Sequence, residues 1–98
     1  MLLAHAIALA QARSAIAALA DRATTRDASV EYERALMQLD WTHDDIGPGI
    51  TPLLNNPSDV LLGIAETAID QLPAFGVDAL ELELVLSMLD AARRMDRD

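Results

Sequence analysis

Apolar residues recur at helical spacing over most of this chain. Leu2, Leu9, Ile16 and Ala23 are seven apart, with His5, Ala12 and Leu19 as a companion row, which predicts a first helix over 2–22. Alanines occupy most of its other positions, so the helix is thin and another helix can approach its backbone closely. Such a helix packs against neighbours rather than standing free.

The segment Thr24-Thr25-Arg26-Asp27-Ala28-Ser29 combines low helix propensity with side chains that cap well, which predicts a break and a second helix over 29–40. One long helix over 2–40 is the alternative, because Val30 and Met37 continue the seven-residue row and no Gly or Pro intervenes. That helix would put Arg26 and Glu33 on the companion row, where burial of charge is costly. Two helices are therefore expected.

The periodicity lapses from Trp41 to Pro57, a stretch that holds the first glycines and prolines of the chain. Gly47-Pro48-Gly49 reads as a turn and Thr51-Pro52-Leu53-Leu54 as a short helical turn. So long a connection in a small domain is either packed down by its own apolar side chains, here Trp41, Ile46, Ile50, Leu53 and Leu54, or does the binding.

A third helix is expected over 58–72, capped by Asn56 or Ser58, with Leu61, Ala65, Ala68 and Leu72 inward and Asp59, Gly63, Glu66 and Asp70 on the opposite face. Pro73 stops it. The connection through Phe75-Gly76 is short enough to make the last helix its antiparallel partner in a hairpin. That helix, over 79–95, opens on Asp78 and Glu81 as a capping-box variant. Leu80, Leu82, Leu84 and Leu86 alternate as a strand would, but the cap and the continuation through Met88, Leu89, Ala92 and Met95 favour helix. Its polar stripe, Glu83, Ser87, Asp90 and Arg94, is narrow. The sum is an all-α single domain, a small four-helix bundle with a long connection over 41–57.

Composition changes this picture in two ways. A chain of 98 residues has a limited core, so a second copy or a tight partner would help it. The net charge of −9 is unevenly placed: all seven basic residues are arginines, and the interval 35–92 contains none of them. Binding to nucleic acid or to anionic lipid is not expected of such a chain. A more basic protein, or self-association as a homodimer, is. Without cysteine there is no disulfide, thiolate zinc site or cysteine nucleophile. No membrane span is expected, because Arg13 interrupts the apolar N-terminal run, and no basic leader precedes it. A cytoplasmic location is the default expectation.

Candidate chemistry is sparse. Asp40 and His43, at i and i+3, could face one ion if the second helix persisted, with Asp44 beside them. Bundle metal sites need a second such pair, and His5 is the only other histidine. No Walker loop, dinucleotide fingerprint or activated serine is present. Gly76-Val77-Asp78-Ala79-Leu80 resembles the attachment motif of acyl carrier proteins, but Ala79 stands where that family carries its modified serine. No catalytic, cofactor-binding or metal residue is expected. The expected function is that of a non-enzymatic interaction module, an acidic adaptor, regulatory or immunity-like protein. Its partner-binding surface would comprise Trp41, Asp44, Asp45, Asp59, Glu66 and Asp70. A metal-dependent or accessory enzyme subunit using Asp40, His43 and Asp44 is the alternative.

Overall fold

The computed structural model describes residues 3–42 and 56–97, and over these the chain is a small all-α four-helix bundle. Helix α1 spans Leu3–Arg22, α2 Arg26–Trp41, α3 Ser58–Gln71 and α4 Ala79–Arg97, with a 3₁₀ turn at Leu72–Phe75 between the last two. The alternating leucines of α4 resolve as helix because Leu82, Val85, Leu89 and Ala92, three and four apart, are the ones buried.

The break between α1 and α2 is shorter than the sequence suggests. Thr25 takes an extended conformation, φ −122° and ψ 151°, and its hydroxyl accepts from the Ala28 amide at 3.1 Å. It is therefore the cap, and α2 starts at Arg26 rather than at 29. Ser29 lies inside the first turn instead. Its hydroxyl donates to the Ala20 carbonyl at 3.0 Å, an oxygen in the last turn of α1 that also accepts from the Ala23 amide at 3.4 Å. The single long helix is thereby excluded.

Two contacts fix the directions of the helices. The Thr24 amide and hydroxyl both donate to Asp96 Oδ1, at 2.6 and 2.8 Å, which brings the end of α4 to the start of α2. The His5 ring stacks on Phe75 with centroids 5.0 Å apart and planes 4° from parallel, which brings the end of α3 to the start of α1. Hence α1 and α4 run one way, and α2 and α3 the other.

Close backbone approaches join α1 to α2, α1 to α3, and α2 to α4. The expected hairpin of the last two helices is corrected in this respect. They are antiparallel, as their short connection requires, but their backbones scarcely approach and the intimate neighbour of α4 is α2. Side-chain size accounts for the closeness of α1 to its two neighbours. Alanines dominate the buried positions of α1 (Ala8, Ala12, Ala15) and recur in those of α3 (Ala65, Ala68) and α2 (Ala28, Ala35), so those backbones can come together.

Because α2 and α3 run in the same direction, the end of one and the start of the other lie at opposite ends of the bundle. A helix of 16 residues such as α2 is about 24 Å long, and the chain must cover a comparable distance before α3 begins. The length of the connection follows from topology. The turns expected at 47–49 and 51–54, and the packing of Ile46, Ile50, Leu53 and Leu54, lie outside the described residues.

Helix ends differ in detail from expectation. Pro57, not Asn56 or Ser58, occupies the cap position of α3, and no side chain caps it. Asp78 accepts from the Leu80 amide at 2.8 Å, as a cap should. Gly76 closes the 3₁₀ turn at φ 91°, a left-handed conformation that only glycine takes without strain. Helix α1 is long and apolar enough, by length and composition, to cross a membrane, so Arg13 does not interrupt it as expected. In this fold the same apolarity fills the core: Leu9, Ile16 and Leu19 are fully buried.

Gly63 sits in the interior of α3, and a Cβ built there meets nothing within 4 Å. Glycine lowers helix stability through its backbone entropy, and nothing inside the monomer requires it at this site. Gly63→Ala is expected to stabilise the protein by about 0.5–1 kcal/mol, measured as a shift of the urea midpoint with an unchanged m-value.

Candidate functional site: an acidic helix face beside an open groove

Helix α3 carries no basic residue, and its acidic positions Asp59, Glu66 and Asp70 are all exposed. Steps of seven and four place them on one face of the helix. On the other flank of the exposed surface of α3, a wide-mouthed groove of about 440 Å³ runs between α1 and α3. Gln11, Val60, Gly63, Ile64, Thr67 and Ala68 line it. Leu3 and Ile7, both exposed, precede Gln11 on α1 in steps of four and prolong the apolar surface. The missing side chain of Gly63 keeps the helix surface low between the groove and the carboxylates.

This arrangement can do some kinds of work and not others. A row of carboxylates attracts cations and orients them, while the groove offers apolar area for burial. The two together suit an amphipathic segment with a basic edge. No nucleophile paired with a base is among the residues lining it.

Of the remaining members of the expected surface, Trp41 does not join this patch. Trp41 is 79% exposed and does not cover the bundle end. It points away from Ala28, Tyr32, Ala35 and Leu39, the buried side of α2. Helices α2 and α3 are not close neighbours, so the tryptophan and the acidic row face different parts of the surface. Asp44 and Asp45 lie outside the described residues.

Asp40 is held by Arg13, with Nε 2.8 Å from Oδ1 and Nη2 3.4 Å from Oδ2. The pair ties α1 to the end of α2, and the guanidinium already balances the carboxylate that a metal would need. His43 and Asp44, the other two members of that set, lie outside the described residues. Among the described residues no cluster of three or more His, Asp or Glu is placed to hold a metal ion.

Sequence reasoning overlooked Tyr32. It is among the largest fully buried side chains, packed on the side of α2 that also buries Ala28, Ala35 and Leu39. Steps of four, three and four along α2 were the available signal. Its phenol is pushed to a higher pKa by burial first and by the nearby Asp96 carboxylate second, with Arg93 opposing.

No protein-family model, no curated protein and no solved structure matches this chain. The function must be argued from the geometry itself.

A titration follows from Tyr32. Because its folded-state pKa is raised, the folded protein holds this proton more tightly than the unfolded chain does. The stability it contributes is fully present below the ordinary value of 10.0 and is lost as pH rises from there through the folded-state pKa. Phenolate absorbance of this sole tyrosine should emerge later than that of free tyrosine, and Tyr32→Phe should flatten the alkaline fall in stability.

Proposed function

We propose that the chain is a non-enzymatic protein-interaction module, a small acidic adaptor, regulatory or immunity-like protein whose α3 face receives a more basic partner. The observation that carries this reading is the juxtaposition of Asp59, Glu66 and Asp70 with the groove lined by Val60, Gly63, Ile64 and Thr67. The charge distribution supports it, since no Lys or Arg occurs anywhere in 35–92. Carboxylates unbalanced over so long an interval set up a one-signed field that draws in a cationic surface and fixes its register. The apolar groove supplies the area that holds it. Trp41, set apart on α2, plays no part in this contact.

The test compares wild-type protein with the triple variant Asp59→Lys, Glu66→Lys, Asp70→Lys as bait in lysate, each at low and high salt. A basic protein retained by wild type at low salt, weakened by salt and lost with the triple variant is the expected result. Equal capture by both baits would remove the acidic face from the function. The helical content of the variant, read by circular dichroism, should match wild type because all three side chains are exposed.

A further inference from the structure

The outer face of α2 carries large apolar side chains that the bundle does not cover. Val30 is 47% exposed, Met37 71% and Trp41 79%. Steps of seven and four put all three in one stripe, directly opposite the buried stripe of Ala28, Tyr32, Ala35 and Leu39. Nothing in the packing of α2 on α1 and α4 calls for apolar residues there.

The charges that flank this stripe are the informative part. Arg26 and Glu33 lie on one side of it and Asp27 and Arg34 on the other, all exposed. Each flank thus holds two opposite charges seven residues apart, and the four charges taken together are centred on Val30. An antiparallel copy of the same helix, related by a two-fold axis through Val30, presents each flank to its own equivalent in reverse. Arg26 then meets Glu33 of the second copy, and Asp27 meets its Arg34, each pairing occurring twice. The four charges sum to zero, so the face escapes the repulsion that a chain of net charge −9 otherwise imposes on its own copies.

We propose that this face of α2 is a self-association surface whose occupant is a second copy of the chain, docked antiparallel about Val30. At the centre Val30 packs on its symmetry mate. Met37 extends over the turn at Ala23 of the second copy, beside the aliphatic part of its Arg26, and Trp41 reaches past it towards the end of the other α1. Arg34 leans on Glu31 at 3.0 Å within its own helix, with its side chain 63% exposed. Five N–H donors allow the guanidinium to serve that contact and the intermolecular one together. One helix face against another buries less than the ~1,200 Å² of total area at which stable interfaces begin. The dimer is therefore weak and reversible, and separate from the α3 face.

Sedimentation equilibrium on the purified protein alone tests the surface, so the outcome does not depend on any basic partner. Dimer is expected at about 100 μM and monomer near 1 μM, as suits an interface of this size. Met37→Glu should weaken association at least about tenfold while leaving the circular dichroism spectrum unchanged. Glu33→Arg sets arginine against arginine and should do the same. The double swap Arg26→Glu, Glu33→Arg should restore the dimer, because the antiparallel register again matches opposite charges. In a parallel pairing the double swap would instead set two acidic side chains against each other at positions 26 and 27, and two arginines at 33 and 34, and association would not recover. A monomer at every concentration, a dimer indifferent to Met37→Glu, or a failure of the double swap to rescue would each overturn the proposal.

Discussion

The architecture depends on one constraint: α1 has almost no polar face. Over Leu3–Arg22 its polar side chains are His5, Gln11, Arg13, Ser14, Asp21 and Arg22, and of these Ser14 is buried and Arg13 is engaged by Asp40. An apolar helix of that length must be covered from more than one side. Helices α2 and α3 provide the cover, each running antiparallel to it, and they therefore run in the same direction as each other. Alanine decides how close they come, because a methyl group lets backbones pack where a leucine would hold them apart. Every later feature of the fold follows from that arrangement, including the distance the chain must travel between α2 and α3.

The polar contacts orient rather than drive this packing. Thr24 with Asp96 and His5 with Phe75 clamp the two ends of the bundle, and Arg13 with Asp40 locks the register of α1 against α2. Exposed ion pairs contribute little to stability in water, typically about 0–1 kcal/mol. The Arg13 pair differs in kind because its guanidinium is mostly buried, with a side-chain exposure of 15%. A charge in that position needs its partner, so Asp40 has a structural duty that conflicts with service as a metal ligand.

The two faces proposed as binding surfaces differ in their physics. The α3 face joins carboxylates of one sign to an apolar groove and is complementary to something unlike itself. The α2 face joins apolar side chains to balanced charges and is complementary to its own copy. Diagonal placement of α2 and α3 across the bundle keeps the two apart, so occupation of one leaves the other open. Under the two proposals together the protein is doubled and still engages a partner, which multiplies attachment points without any new contact.

Much of this was determined by local sequence. Seven-residue apolar rows, the Thr24–Ser29 break, Pro73 and the Asp78 cap place four helices within a few residues, because helix formation depends on side chains three to four positions apart. The acidic row of α3 was legible for the same reason: a single helix sets its spacing. Boundaries moved where a neighbour intervened, as when Ser29 turned its hydroxyl to the carbonyl of Ala20 and left the capping to Thr25. What lay beyond the sequence were the relations between helices. That α4 packs on α2 rather than on α3, that Trp41 is exposed and separated from Asp59, Glu66 and Asp70, and that Asp40 answers Arg13 all depend on contacts between residues far apart in the chain. Such contacts are decided by the joint fit of whole faces, and no window of neighbouring residues contains that information.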